Sequence, residues 1–285
     1  MSTLSETYLR PLSLDEAVGQ LAGGGAEVLG GGTYLIGRGA RRAARLVALD
    51  RLKLDYVAED KAGIRCGAMV RLQELVESDL LKSFGEGVLS EAARATRQSW
   101  MLRNMSSVGG EVVERSTHSA LAVALLALDA ELTLATDEGV RRLALQEFYR
   151  DGGAAAGKPF VLVEVFVPRP TRGARAAFRR LAQLPSQEAL AAAAVNLSIE
   201  GSQVHRARAA VGSSTVAPLR LVALEQSLKE GGTHIGDHRL RDCCEAGLEG
   251  VEFAGGAHRS PAYLREMTGL LLFKTCRELL GAGEA

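Results

Sequence analysis

The sequence predicts an α+β protein with a larger N-terminal part and a smaller C-terminal part. Short apolar runs typical of strands and segments of helical periodicity both occur along the chain. The stretch VPRPTRGAR, residues 167–175, has the proline, threonine and glycine content of a domain junction near residue 170. Beyond it the pattern changes to alanine-rich, strand-like runs, AAAAVNLSIEG and VHRARAAVGS, which indicate a second, smaller α+β unit.

The first elements follow from capping residues and short apolar runs. Ser13 precedes LDEAVGQLA, whose acidic first turn and spaced apolar residues predict a helix. AEVLG and RLVALD then predict two strands on either side of a glycine-rich turn. Arg38, Arg41, Arg42 and Arg45 fall at helical spacing between them, as a basic face that is either a solvated or subunit-facing surface or a contribution to phosphate binding.

The later elements are predicted in the same way. Strands are expected over AGIRCGAMV and KPFVLVEVFVPRP, and helices over RLQELVESDLLKS and VLSEAARATRQSW. ALAVALLALDAELTLAT indicates a buried helix that runs into a strand. A helix is expected from Pro218 to Lys229, and Ser260 is the expected N-cap of a long terminal helix. Trp100 is expected to anchor packing.

Composition excludes several classes of function. The 285 residues carry 34 basic and 34 acidic side chains, so no net field favours a nucleic-acid partner. No apolar run approaches the roughly 18 residues of a membrane span, and the acidic N-terminus lacks a signal-peptide core, so we expect a cytoplasmic protein. The four cysteines form no CxxC pair, so we expect no metal site and no iron–sulfur cluster in this chain.

Two glycine turns, LGGGTYLIGRG and SSVGGE, are the candidate functional features. Neither has the GxGxxG spacing of a Rossmann site or the GxxxxGK[ST] spacing of a P-loop. Successive amides in a tight glycine turn can bind an anion, so the two loops together suit one pyrophosphate. They equally suit flexible turns without a ligand.

The two turns resemble the flavin-binding loops of the medium flavoprotein subunit of molybdenum hydroxylases, the xanthine dehydrogenase and carbon monoxide dehydrogenase family. The first loop of that family reads A-G-G-[TH]-[DS]-L, and the second reads I-R-N-x-x-T-I-G-G-N. The matching positions here are Gly30, Gly31, Gly32, Thr33, Tyr34 and Leu35, then Leu102, Arg103, Asn104, Ser107, Val108, Gly109 and Gly110. CGAMVRLQEL, ALLALDAELTL and SPAYLREMTGLLL extend the resemblance, in order, over nearly the whole chain.

The resemblance implies an FAD-binding domain of the vanillyl-alcohol-oxidase/PCMH type over residues 1–172, with subdomains of about 1–56 and 57–172 and the dinucleotide between them. Residues 173–285 would form the C-terminal flavoprotein domain. It also implies a hetero-oligomer in which a large subunit carries the molybdenum cofactor and a small subunit carries two [2Fe-2S] clusters. Electrons would pass from the clusters through FAD to NAD, oxygen or a quinone. No residue of this chain would be catalytic.

The expected FAD contacts are the backbone amides of residues 31–34 and 107–110, with the hydroxyls of Thr33 and Ser107. The full set of cofactor-binding residues implied by the resemblance is Gly30, Gly31, Gly32, Thr33, Tyr34, Leu35, Ser107, Val108, Gly109 and Gly110.

Several positions depart from the family pattern. Glu111 replaces an asparagine, Ala120 an aspartate and Thr117 a proline, and Gln187 stands where relatives often have aspartate. Tyr34 replaces a smaller or acidic residue, and its ring would stack on the flavin or block it. A carboxylate about 5 Å from the pyrophosphate would cost roughly 3 kcal/mol at an effective dielectric near 20.

Three functions therefore remain open from the sequence. The chain is a flavin-carrying electron-transfer subunit, a structural or assembly subunit with a degenerate flavin site, or a self-contained flavin reductase. Bound flavin in the isolated chain would favour the first function over the second. Turnover with a nicotinamide donor in the absence of partners would favour the third.

Overall fold

A computed structural model describes residues 7–37, 45–150, 153, 159–184, 186–255 and 259–281. The strands, in chain order, are β1 (Thr7–Leu9), β2 (Ala26–Leu29), β3 (Arg45–Ala48), β4 (Val57–Glu59), β5 (Gly63–Gly67), β6 (Glu131–Thr136), β7 (Gly139–Ala144), β8 (Phe160–Pro168), β9 (Ala174–Leu181), β10 (Ala191–Glu200), β11 (Gln203–Gly212) and β12 (Leu219–Arg220).

Helices and strands occur largely in separate runs, with six α-helices in succession between β5 and β6, as is typical of the α+β class. In chain order the helices are α1 (Leu14–Ala22), α2 (Thr33–Gly37), α3 (Leu72–Glu77), α4 (Asp79–Ser83), α5 (Val88–Thr96), α6 (Trp100–Met105), α7 (Val108–Val113), α8 (Ala120–Ala127), α9 (Leu145–Arg150), α10 (Val222–Gly231), α11 (Asp237–Ala246) and α12 (Pro261–Leu279). No helix in the described ranges is long and apolar enough to cross a membrane.

The chain forms two compact units that do not follow the sequence linearly. The first contains the described residues of 1–74, 99–114 and 130–168, and the second those of 75–98, 115–129 and 169–285. The domain limits expected from the sequence are 1–172 and 173–285, and they remain a prediction. The compact units divide the chain differently, because the inner segments 75–98 and 115–129 belong with the C-terminal strands.

The first unit contains two sheets. The smaller is parallel, with strand order β1-β3-β2, and the larger is antiparallel, with order β4-β5-β8-β6-β7. Helix α1 begins at the predicted cap, where the Ser13 hydroxyl accepts from the Glu16 amide at 3.1 Å. Ala17 and Val18 on α1 share a buried core with Val47 of β3, Ala135 of β6 and Val161 of β8. This core holds the two sheets around α1.

Arg45 corrects one prediction. It is the first residue of β3, and its guanidinium donates to the Gly24 carbonyl at 2.6 Å. The prediction that Arg45 lies on a helical basic face is therefore wrong, since the strand ends the helical register before it. Arg38, Arg41 and Arg42 lie outside the described residues.

The second unit is built on an antiparallel sheet of order β12-β11-β10-β9. The long helix α12 packs on this sheet through buried side chains that include Leu272 and Cys276. Its predicted cap is confirmed, because the Ser260 hydroxyl accepts from the Tyr263 amide at 3.2 Å. The helix expected over 218–229 is present as α10, preceded by the short strand β12.

A polar cluster in the first unit connects strands β5, β6 and β8 of the larger sheet and makes the stability of the protein depend on pH. The Glu164 carboxylate accepts from the Tyr56 hydroxyl at 2.7 Å, from Arg65 at 2.7 Å and from the Thr133 hydroxyl at 3.2 Å. Burial, together with the hydrogen bond to this carboxylate, raises the pKa of Tyr56 to about 12. The neutral phenol is thus favoured in the folded state.

We expect the free energy of unfolding to decrease as the pH rises from 10 to about 12. An unfolded tyrosine ionises near 10.0, whereas Tyr56 keeps its proton until about pH 12, so the stabilisation is complete below pH 10 and lost through 12. Denaturant unfolding across this range should show a weaker pH dependence for Tyr56→Phe than for the wild type. Cys66, whose pKa burial raises to about 12, is present in both proteins. Identical slopes would contradict the role of Tyr56.

Candidate functional site

The first glycine turn connects β2 to α2 and lies directly against the end of α6. Gly32 has a φ of 78°, which glycine adopts without strain. A Cβ on Gly31 would lie 2.0 Å from the Met105 carbonyl oxygen, far inside contact distance. Gly31 is therefore required for the close approach of two chain segments, whatever ligand the turn binds.

The second glycine turn is hydrogen-bonded to the segment that follows β5. The Val108 amide donates to the Val70 carbonyl at 2.9 Å, and the Gly109 amide donates to the Ala68 carbonyl at 2.8 Å. A Cβ on Gly109 would lie 2.8 Å from the Ala68 side chain. This glycine is also required for close packing.

The next amide along the second turn is used in a helix cap. The Ser107 hydroxyl accepts from the Gly110 amide at 3.2 Å and so caps α7. The amides of Val108, Gly109 and Gly110 are therefore committed within the protein. This differs from the sequence expectation that the second turn offers them to a ligand.

The first turn differs from the second in the hydrogen bonding of its amides. Within the part of the chain that the structure describes, no hydrogen bond uses the amides of Gly31, Gly32 or Thr33. The Thr33 hydroxyl lies 3.3 Å from that of Ser106, which links the two turns. Backbone amides are obligatory donors, so three consecutive unpartnered amides indicate a site for water or an anion.

The two turns border a cleft of about 1030 Å³. Six of the ten residues that the sequence assigned to the site line this cleft, namely Gly30, Tyr34, Leu35, Ser107, Gly109 and Gly110. The other four, Gly31, Gly32, Thr33 and Val108, are not among the lining residues, and Val108 is 2% exposed. The three unpartnered amides stand in the chain between two lining residues, Gly30 and Tyr34.

Tyr34 and Glu111 form a contact between the two turns. The Tyr34 hydroxyl donates to Glu111 Oε2 at 3.4 Å. Glu111 lies in the first turn of α7 and is 1% exposed. The carboxylate that departs from the family pattern is thus buried beneath the wall, and the tyrosine ring remains at the cleft surface.

Arg71 is a residue that sequence reasoning missed. Its guanidinium donates to the Met105 carbonyl at 2.7 Å, and the same nitrogen lies 3.1 Å from the position of a Cβ on Gly31. A positive charge therefore lies beside the unpartnered amides. The only signal in the sequence was the position of Arg71 in CGAMVRLQEL, which alone does not predict proximity to a loop forty residues earlier.

The lining also contains two carboxylates, Glu27 and Glu114. Among the described residues that line the cleft there is no lysine or arginine, so Arg71 supplies its positive charge from behind the first turn. A negatively charged ligand would therefore be favoured near the first turn and disfavoured beside the two carboxylates.

The remaining departures lie in the second unit. Ala120 begins α8 and is fully buried, with Ser119 as the helix cap. The Thr117 carbonyl accepts from the Ser213 amide at 2.7 Å. The Gln187 carbonyl accepts from Arg180 at 2.9 Å. All three therefore have structural roles in this unit.

The family of the protein follows from the comparison of its sequence with known families. Residues 3–170 match the model described as the FAD-binding domain in molybdopterin dehydrogenase. The chain belongs to this FAD-binding family. Residues 171–279 match the model of the CO dehydrogenase flavoprotein C-terminal domain, so both parts of the chain have counterparts in one class of enzyme.

Two proteins with similar sequences are named as medium chains of dehydrogenases. The glyceraldehyde dehydrogenase medium chain of Sulfolobus acidocaldarius is 24% identical over 96% of this chain and 98% of its own length. The carbon monoxide dehydrogenase medium chain of Afipia carboxidovorans is 28% identical over 93% of each chain. The protein is accordingly a medium, FAD-binding subunit of a molybdenum hydroxylase-type oxidoreductase.

Solved structures share the fold. A chain of carbon monoxide dehydrogenase from Hydrogenophaga pseudoflava superposes with a TM-score of 0.87 at 22% identity, and covers 100% of both chains. A chain of quinoline 2-oxidoreductase from Pseudomonas putida 86 has a TM-score of 0.81 at 22% identity, over 98% of this chain and 100% of its own. The predicted α+β class and the two-part architecture are confirmed.

The cleft fits the cofactor of the family. Its volume lies at the upper end of the roughly 300–1,000 Å³ of small-molecule sites, as an extended dinucleotide requires. Unpartnered amides and Arg71 suit a pyrophosphate, and the ring of Tyr34 offers an aromatic surface.

Proposed function

We propose that the chain holds FAD in the cleft between the two glycine turns and transfers electrons from partner [2Fe-2S] clusters to an external acceptor. The observation that carries this is the run of three unpartnered amides, Gly31 to Thr33, between Gly30 and Tyr34, which line a cleft of dinucleotide size. When bound, FAD supplies the redox chemistry. The protein contributes binding, orientation and charge.

The first turn binds the pyrophosphate in this proposal. Successive amides in a tight turn such as that at Gly32, whose φ is 78°, can bind one anion, and Arg71 adds a positive charge beside the turn. The second turn acts differently. Because its amides are committed, it contributes shape, and its fixed position determines the width of the cleft.

The partners proposed are a large subunit with the molybdenum cofactor and a small subunit with two [2Fe-2S] clusters. The relatives named medium chains support this, since a medium chain belongs to an assembly of several chains. The external acceptor is NAD, oxygen or a quinone. The four cysteines of this chain have no cluster spacing, which agrees with clusters held elsewhere.

Opposite charges flank the first turn, and their removal should have opposite effects on FAD affinity. Arg71→Gln should weaken FAD binding about tenfold, because it removes the positive charge beside the amides. Glu111→Gln should strengthen binding by up to about tenfold, because it removes a buried negative charge while an amide oxygen still accepts from Tyr34. Titrations of the flavin-free chain with FAD, at two salt concentrations, measure both.

The controls use the same titration. The double variant Arg71→Gln, Glu111→Gln should bind FAD close to the wild type, and higher salt should reduce both single effects. Lys82→Gln, which breaks an exposed pair with Asp79, should leave the affinity unchanged. Equal affinities for the wild type and both single variants would exclude the pyrophosphate from the first turn.

A further inference from the structure

Helix α6 has its charged side inward and its apolar side outward. Trp100 is 64% exposed, Met101 61%, Leu102 38% and Met105 40%. The buried side chain of this helix is Arg103, which is 8% exposed. A surface helix normally buries its apolar residues, so this arrangement needs an explanation. It also shows that the prediction of Trp100 as a packing anchor is wrong.

The four apolar side chains form one continuous surface. At about 100° per residue they occupy a single arc of the helix, and Asn104 is the one polar residue within it. The Asn104 amide nitrogen donates to the Trp100 carbonyl at 2.9 Å, so part of its polar group is satisfied inside the helix. The arc exposes on the order of 400 Å² of apolar surface, which is the size of the largest apolar patch on a typical single chain, and such patches often bind a partner.

Polar contacts on the inner side hold α6 in place. The Arg103 guanidinium donates to Gln73 Oε1 at 2.6 Å, and Arg71 donates to the Met105 carbonyl at 2.7 Å. The helix is thus fixed without the use of its outer side chains. The apolar arc is therefore available for a partner, and it is presented on a rigid support.

The position of α6 restricts what that partner is. Its last carbonyl, at Met105, is the atom that approaches Gly31, so the helix ends at the first glycine turn. It also leads directly into the second turn, whose Ser107 lines the cleft. A protein docked on α6 would lie beside the cofactor site, which is where an electron donor has to bind.

We infer that the exposed arc of α6 is the docking surface for the [2Fe-2S] subunit, an inference that rests on the proposed function. The surface is about half of the roughly 800 Å² that each partner buries in a standard interface, so it would form the apolar centre within a wider contact. Trp and Met are typical of such centres, where a few large side chains contribute most of the affinity.

The test uses the full chain with separately purified partner subunits and measures binding to each. Trp100→Ala and Met101→Lys should each weaken binding of the [2Fe-2S] subunit by roughly 30-fold. Val140→Lys is the matched control, because Val140 is 72% exposed on β7 and should leave binding unchanged. FAD content and thermal unfolding of each variant establish that the fold is retained.

Three outcomes would overturn the inference. They are wild-type binding of the [2Fe-2S] subunit by both variants, a loss confined to the large subunit, and a loss confined to self-association of this chain. The proposed function is judged separately, by the FAD content of the wild type. A wild type without FAD would exclude the proposed function, and the binding of the [2Fe-2S] subunit would still decide the docking surface.

Discussion

Gly31→Ala is expected to lower the affinity for FAD by about a hundredfold. A Cβ at this position would lie 2.0 Å from the Met105 carbonyl oxygen, and the obstructing atom is backbone, which no rotamer change can move. The two turns must therefore separate. A displacement of about 1 Å in a positioned site commonly costs such a factor, because donors no longer reach the ligand together.

The control for this variant is another glycine-to-alanine exchange. Gly19 lies within α1, and no atom lies within 4 Å of a Cβ placed there. Gly19→Ala should keep the wild-type FAD affinity and raise the free energy of unfolding by up to about 1 kcal/mol, since alanine favours helix. FAD titration and denaturant unfolding measure both variants. A Gly31→Ala protein with wild-type affinity would show that the approach of the turns does not position the cofactor.

Asp129→Asn is expected to lower the free energy of unfolding by about 3 kcal/mol. The Asp129 carboxylate pairs with Arg206, with Arg208 at 2.6 Å and with Arg220 at 2.7 Å, in a cluster that also contains Glu225. Removal of one partner of a buried pair typically costs about 3–5 kcal/mol, and the 18% exposure of the Asp129 side chain places the expected loss at the lower end of that range. Asparagine keeps the shape and tolerates the φ of 53° at this position, so the effect isolates the charge.

The control for Asp129→Asn is the same exchange at an exposed aspartate. Asp79 pairs with Lys82 at 2.9 Å, and its side chain is 96% exposed. Asp79→Asn should produce no measurable change in denaturant unfolding, since exposed pairs are screened by water and salt. Equal effects of the two exchanges would contradict the view that the cluster around Asp129 stabilises the second unit.

Local signals in the sequence predicted much of the fold. Ser13 and Ser260 were recognisable as helix caps because capping depends on a few adjacent residues. The strands over 26–29, 45–48 and 160–168 were recognisable from short apolar runs. The cytoplasmic location stays a prediction of the sequence.

What the sequence did not reveal depends on contacts between distant segments. The glycine turns were recognised, but which amides are committed depends on the approach of Ala68 and Val70 to the second turn. Arg71 acquires its place beside Gly31 only through the fold. Trp100 was expected to anchor packing, and the inward position of Arg103 reverses that expectation.

The burial of Glu111 changes the repulsion expected between its carboxylate and a pyrophosphate. From the sequence, a carboxylate after the glycine pair was expected to repel a pyrophosphate. In the structure it is 1% exposed and accepts from the Tyr34 hydroxyl, so the side chain that reaches the cleft is the tyrosine.

The central claim is that the cleft between the two glycine turns binds FAD, and the visible absorption spectrum of the isolated full-length chain tests it most directly. We expect flavin absorption bands with about one FAD per chain, and their loss in Gly31→Ala but not in Gly19→Ala. A colourless chain that stays colourless after FAD is added, yet still assembles with a large subunit, would contradict FAD binding in this cleft and favour a structural subunit.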